Sequence, residues 1–353
     1  MDIKIVKNSN PKVKPDQNNL GFGNYFTDHM FIMDYTKGIG WHDPRVAPYG
    51  PLELDPSAMV FHYAQETFEG LKAYKAVDGS IQLFRVRDNL KRLNISNDRV
   101  CIPQIDEKMM FEAIKTLIEV DKDWIPSAPG TSLYVRPFVI ATDPYLGVRP
   151  AGTYKFMVIL SPVGAYYKEG LNPTKIYVED KYVRAVPGGI GFAKTGGNYA
   201  ASLKAQVEAN EKGYSQVLWL DGKERKYIEE VGTSNAFFKI EGKVYTAPLE
   251  GSILSGITRD SAIRLMKDWG YEVIEQRMTI QELKDLYEEG KLEEAFATGT
   301  AAVISPIGTL GWNGEDMVIN ESRIGALSQK LYDAITSIQY GKDEDKFDWV
   351  TKI

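Results

Sequence analysis

The sequence predicts an α+β protein of two domains, on three observations. Its 353 residues exceed what one small core organises. Strand-like and helix-like segments are interspersed through both halves, with no strand–GxGxxG–helix unit. A Lys-Glu-Gly stretch followed by Leu171-Asn172-Pro173 interrupts the pattern near the middle, as a linker does. The expected first domain is therefore 1–167, the connecting loop 168–174 and the second domain 175–353.

The first half reads mainly as sheet. AMVFHYAQETFEGLKAYKAVDG mixes aromatic and β-branched residues and ends in a turn at Asp78-Gly79, with IQLFRV as the partner strand of a hairpin. Asp88 to about Ile95 reads as a short helix. Asp106 to Val120 reads as a firmer one, with Ile105, Met109, Ile114 and Leu117 at helical spacing and Asp106 as its cap. TSLYVRPFVIAT and TYKFMVILSPVG are strands. The second half opens with the strand KIYVED. SLKAQVEANEKG is a helix closed by Gly213, and SQVLWLDG is a strand. YIEEVGTSNAFFKIEGKVYTAP reads as strands turning at Gly242. SGITRDSAIRLMKDWG, Thr279 to Glu289 and Arg323 to Tyr340 are helices, with the small-residue segment EEAFATGTAAVISPIGTL before the last.

Composition narrows the function. Forty-two Lys and Arg against 48 Asp and Glu give a net charge of -6, so no bulk attraction draws the chain to nucleic acid or anionic lipid. Cys101 is the single cysteine, which excludes an internal disulfide and a cysteine-built metal centre and fits a reducing compartment. The first twenty residues are polar, carry two prolines and lack the apolar core of a signal peptide. No window approaches the roughly 18 apolar residues of a membrane span. The expected location is the cytoplasm. His29, His42 and His62 form no HxxxH or HExxH pattern, so they read as local hydrogen-bonding residues and no metal is expected.

Several segments could carry chemistry. In PGGIGFAKTGGNYAASLKA one lysine, Lys194, sits between glycine-rich stretches just before a helix. A solvated loop lysine is one reading. A lysine held for Schiff-base formation with an aldehyde cofactor is the other. The run lacks P-loop spacing. ILSGITRD opens a helix, and ATGTAAV places Thr298 and Thr300 beside exposed amides, so both could cradle an anion. Glu229 and Glu230 are adjacent at a strand end, where one faces in and the other out. Arg136 lies in an apolar strand, where burial is costly without an anion, whether a structural carboxylate or a ligand.

In order and spacing, FTDHMF, HYAQETFEGLKAYK, LFRVRDN, IEVDKDW, GTSLYVRP, SPVGAYY, AKTGGNY, QVLWLDG, EEVGTSN, SGITR, ATGTAAV and IQYG closely resemble the branched-chain amino acid aminotransferases. These are class IV aminotransferases of PLP fold-type IV, and the likeness runs from about residue 22 to residue 341. It implies a smaller N-terminal α/β domain, a larger C-terminal domain and pyridoxal 5′-phosphate at their interface. It implies reversible transfer of the amino group of L-leucine, L-isoleucine or L-valine to 2-oxoglutarate.

Roles follow from the resemblance by position. Lys194 is similar to the catalytic lysine that holds the cofactor, and Tyr199 to the tyrosine at its phenolic oxygen. Glu230 resembles the partner of the pyridine nitrogen, which leaves Glu229 unassigned. Arg92, Ile257, Thr258 and Thr300 resemble the phosphate site. Phe22, Tyr63, Phe68, Tyr134 and Tyr166 resemble the aromatic walls of the side-chain pocket. Thr233 and the backbone around Ala301 resemble the α-carboxylate site, and Arg136 the residue meeting the distal carboxylate of glutamate. In the family Tyr63, Tyr134 and Val148 come from the neighbouring subunit, so a homodimer is implied. One departure stands out: mammalian members carry a CxxC redox pair where this chain has Ala302 and Ser305, so that thiol switch is expected to be absent. D-amino-acid transamination or aminodeoxychorismate lyase chemistry would share Lys194 and Glu230 but not YVRP with SPVGAYY. A non-catalytic relative would not need Lys194, Tyr199, Glu230 and Arg92 together.

Overall fold

A computed structural model of the chain describes residues 2–164 and 171–353. Two compact units result, one of 2–164 with 193–196 and 338–353, the other of 171–192 with 197–337. Part of the expected connecting loop, 168–170, lies outside the described residues. Two segments expected in the second domain thus group with the first. The cause is backbone pairing. The Lys194 carbonyl accepts the Phe68 N–H at 3.0 Å, and the terminal strand Val350–Lys352 runs antiparallel to Ile81–Phe84.

The strands of the first unit are β1 (Lys4–Ile5), β2 (His29–Thr36), β3 (Gly40–Pro48), β4 (Glu66–Phe68), β5 (Leu71–Lys75), β6 (Ile81–Phe84), β7 (Ser132–Ala141) and β8 (Thr153–Val163). With the terminal strand they form one sheet in the order β1-β3-β2-β8-β7-β5-β6-terminal strand, with β4 on β7. Its helices are α1 (Met59–Tyr63), α2 (Val86–Arg99) and α3 (Glu107–Val120). Side chains alternate across a strand. On β7, Leu133, Val135 and Val139 enter the core beneath α2 and α3, which leaves Tyr134 and Arg136 on the opposite face. α3 forms as its spacing predicts: Met110, Ala113, Ile114 and Leu117 are buried, and Asp106 accepts the Met109 N–H at 2.8 Å.

Two local expectations are corrected here. Met59–Tyr63, read as strand from its aromatic and β-branched residues, is a single helical turn. It is held from outside itself, since the Met59 N–H donates to the Asp143 carbonyl at 3.1 Å and Ala64 ends the turn at φ 47. α2 is longer than predicted at both ends, because packing buries Val86, Leu90 and Leu93.

The second unit contains β9 (Thr174–Glu179), β10 (Gln216–Leu220), β11 (Ile228–Val231), β12 (Ser234–Ile240), β13 (Lys243–Thr246), β14 (Val273–Glu275), β15 (Leu292–Gly299), β16 (Val303–Trp312) and β17 (Glu315–Val318). Its helices are α4 (Gly196–Glu211), α5 (Ile257–Asp268), α6 (Ile280–Glu288) and α7 (Ala326–Gln339). Strands pair in the order β11-β10-β9-β16-β15-β12, and β11 pairs again with β12, so six strands close into a ring. Ile176, Val178, Leu218, Leu220, Phe238 and Leu310 fill one face, and α4 covers another through Ala205 and Ala209 against Val217 and Trp219. Thr279 and Glu282 form a capping box on α6, and Glu294 accepts the Leu327 and Ser328 N–H groups at the start of α7. Gly213 and Gly242 take the positive φ values, 85 and 77, that their turns require.

Among the described residues no helix is long and apolar enough to cross a membrane, and no cluster of three or more His, Cys, Asp or Glu could hold a metal.

Candidate active site

In the first unit the site begins on α2. Asn89, Arg92 and Ser96 recur at helical spacing, and all three are buried. A buried polar stripe must find partners. Arg92 Nε meets Glu69 Oε1 at 2.7 Å and its Nη2 meets Oε2 at 2.9 Å. Asn89 adds a third bond to Glu69 at 2.8 Å, and the Gly70 N–H a fourth. Burial pushes the Glu69 carboxyl up, but Arg92, then Lys194 and Asn89, pull it down to below the ordinary carboxylate value. Ser96 Oγ accepts the Lys194 N–H at 2.8 Å.

Lys194 is therefore held by its backbone on both sides, by α2 and by β4. Its Nζ lies 4.9 Å from the Phe68 ring centroid. The Arg136 guanidinium lies 4.8 Å from the same ring and 5.3 Å from that of Tyr134. Arg136 Nη2 donates to the Tyr134 hydroxyl at 3.1 Å, and Phe22 packs edge-on against Tyr134 at 5.0 Å. Arg136 Nε is buried with no hydrogen-bond partner among the described residues. Gly70 makes room for this group, since a Cβ there would collide with the Tyr134 hydroxyl. Glu66 accepts the Gly196 N–H, and burial pushes its carboxyl up despite that bond and the charge of Arg136.

In the second unit a concavity is lined by Arg184, Asn198, Tyr199, Glu230, Thr233 and Leu254. Glu230 and Asn235 pair across β11 and β12, and Asn235 pairs with Thr298 across β12 and β15, so the three stand in one row. Glu230 Oε2 accepts from Arg184, and Oε1 accepts from Asn235 at 3.1 Å. Asn235 also donates to the Leu254 carbonyl, just ahead of α5. There Gly256 approaches Asn235 too closely for a side chain, and Ile257 and Thr258 begin α5, whose N-cap makes no side-chain hydrogen bond. The Thr298 hydroxyl is buried without a partner among the described residues, as is Arg184 Nε. Glu229 is buried as well and accepts from Ser252 Oγ at 2.5 Å. Burial pushes its carboxyl up. The expectation that one of the two glutamates faces outward is thus corrected: they alternate, but both faces of β11 are covered.

Of the residues predicted from sequence, the first unit gathers Phe22, Phe68, Tyr134, Arg136 and Lys194, with Arg92 behind them. The second gathers Tyr199, Glu230 and Thr233. Thr300 and Ala301 form the turn between β15 and β16. Tyr63 and Val148 join neither group and are exposed, at 37% and 87%, on segments that hydrogen-bond to each other. Tyr166 lies outside the described residues. Sequence reasoning missed Glu69, Arg184 and Asn235, and named Thr298 only as part of a candidate anion cradle. Glu69 carried no signal of its own: unlike Arg136 it stands among polar residues, with Glu66, Thr67 and Lys72 close by, and nothing local sets it apart.

Taken by itself, the first unit holds an amine beside a guanidinium. The second, by itself, holds a helix N-terminus, a buried hydroxyl without a partner among the described residues and a buried carboxylate. These are groups of the kinds that bind an aldehyde, a phosphate and a ring nitrogen. The amino-transferase class IV family profile matches residues 66–310. The chain is 59% identical to branched-chain-amino-acid aminotransferase 2 of Bacillus subtilis (strain 168), over 99% of this chain and 97% of that protein. Its structure is similar to that of the branched-chain amino acid aminotransferase of Escherichia coli, with TM-score 0.75 and 29% identity over 91% of this chain and 98% of that one. It is also similar to the T.th. branched-chain amino acid aminotransferase complexed with N-(5′-phosphopyridoxyl)-L-glutamate, with TM-score 0.73 and 26% identity over 91% and 97% of the two chains.

Proposed function

The chain belongs to the amino-transferase class IV family, and we propose that it is a branched-chain-amino-acid aminotransferase using pyridoxal 5′-phosphate. It moves the amino group of L-leucine, L-isoleucine or L-valine to 2-oxoglutarate, giving the branched 2-oxo acid and L-glutamate. The observation that carries this reading is the shared use of Phe68. An amine and a guanidinium lie 4.9 and 4.8 Å from one aromatic ring. That pairs a reacting group, an apolar wall and an anion receptor. Relatives with this activity in their names and near-complete coverage support it.

When bound, pyridoxal phosphate supplies an aldehyde that condenses with amines and a ring that draws electrons from the substrate Cα. With that group bound, Lys194 Nζ would hold its aldehyde and, as a free amine, would move the proton at the substrate Cα. Glu230, fixed by Arg184 and Asn235, would keep a proton on the ring nitrogen. Tyr199 would hydrogen-bond the phenolic oxygen. Arg92, the start of α5 at Ile257 and Thr258, and Thr300 would hold the phosphate. Thr233 and the Ala301 backbone would receive the α-carboxylate. Phe22, Phe68 and Tyr134 would enclose the side chain.

The visible spectrum of the purified protein tests the reading. A band that bleaches with L-leucine is expected. Its absence, or a response only to a D-amino acid, overturns it. Arg136 answers the second carboxylate of glutamate by charge-assisted hydrogen bonds. Arg136→Ala is expected to slow the glutamate half-reaction by about 10- to 100-fold and the leucine half-reaction far less. Stopped-flow rates for each substrate check this, and equal losses would sink it.

The working unit is proposed to be a cytoplasmic homodimer, with Tyr63 and Val148 serving the neighbouring subunit; Tyr134, which the resemblance also assigns there, packs instead on Phe22 and Arg136 of its own unit. The support is an exposed apolar group: Phe61, Tyr63, Leu146 and Val148 lie on segments tied by the Met59-to-Asp143 and Tyr145-to-Ser57 hydrogen bonds. Phe61→Asp is expected to shift sedimentation velocity from dimer toward monomer. A monomeric unmodified protein would refute the assembly.

A further inference from the structure

Glu69 is fully buried, yet it carries a charge matched by a bidentate arginine. Such a pair rarely adds stability over apolar residues of the same volume, because desolvation offsets the attraction. Packing alone therefore does not account for it. Its geometry suggests another use. A guanidinium presents its N–H groups in a rigid plane. Binding Nε and Nη2 to one carboxylate sets that plane and leaves the Nη1 edge pointing away from Glu69. Asn89 Nδ2 and the Gly70 N–H both hold Glu69 Oε2, so the carboxylate cannot swing.

The same short segment also ties in the lysine. Phe68, the residue before Glu69, donates its N–H to the Lys194 carbonyl, and Ser96, one turn beyond Arg92 on α2, accepts the Lys194 N–H. Phe68-Glu69 thus links the Lys194 backbone to the Arg92 guanidinium within one unit.

We propose that Glu69 is a positioning residue: it aims Arg92 at the cofactor phosphate and holds that guanidinium in register with Lys194. This rests on the reading of Arg92 as a phosphate ligand. The test compares pyridoxal 5′-phosphate with pyridoxal, which lacks the phosphate, binding to the full chain freed of cofactor. Tryptophan fluorescence gives both affinities, and their ratio reports the phosphate alone. A merely structural role would weaken both ligands alike and leave the ratio unmoved.

Glu69→Gln is expected to lower the ratio by about 10-fold, as Arg92→Met does, and to lower it no further in the Arg92→Met background. A ratio unchanged in Glu69→Gln but lowered in Arg92→Met overturns the proposal and leaves Arg92 as the phosphate ligand. A ratio unchanged in Arg92→Met removes the phosphate reading, and the proposal falls with it. If Glu69→Gln does not fold, Glu69→Asp serves by the same criteria, since it keeps the charge but withdraws the carboxylate from one edge of the fork.

Discussion

Lys194→Ala is expected to reduce amino-group transfer by about four orders of magnitude or more, because in the proposed mechanism one amine both holds the cofactor and carries the proton. The protein should remain folded. Lys194 is anchored through its backbone, with the N–H on Ser96 Oγ at 2.8 Å and the carbonyl on the Phe68 N–H at 3.0 Å, and the substitution keeps both bonds. A circular-dichroism spectrum and thermal midpoint near those of the parent, with turnover at background, is the predicted pair of results. Retention of even a few per cent of the parent kcat would remove Lys194 from the chemistry. The result separates Lys194 from Glu69, whose loss acts on phosphate affinity.

Trp219→Ala has the largest expected effect on stability, about 3–5 kcal/mol. The Trp219 side chain is fully buried between β10 and α4, against Ala205, Ala209 and Val217. Small alanines on the helix admit the indole, and they cannot refill its space. The indole N–H also donates to the Gly232 carbonyl at 3.0 Å. Gly232 sits at φ 56 in the turn between Glu230 and Thr233. Trp219→Phe keeps most of the volume and removes only that bond, so it is expected to cost about 1–3 kcal/mol. Urea unfolding midpoints check the order. Equal losses from the two substitutions would mean that packing is not what Trp219 supplies.

How much of this could be read beforehand differs by element. α3 was legible because its cap and its buried residues lie within one window of sequence. The turns at Gly213 and Gly242 were legible because a positive φ restricts the residue locally. The helical turn Met59–Tyr63 was not, since its first N–H is satisfied by Asp143, about 80 residues away. The long reach of residues 193–196 and 338–353 into the first unit was invisible for the same reason.

The site divides along that line. By itself the sequence supplied the candidates: Lys194 in its glycine-rich run and Arg136 stranded in an apolar strand from the residues, and Tyr199 and Glu230 through the resemblance to the branched-chain aminotransferases. Residue type and order along the chain are enough for that, because neither depends on how the chain packs. Only the tertiary structure decided what controls those groups. Glu69 stands 23 residues from Arg92, Arg184 stands 46 from Glu230, and Ser96 stands 98 from Lys194. Pairing of buried charge depends on which elements pack together, and no local pattern encodes a partner at such separations.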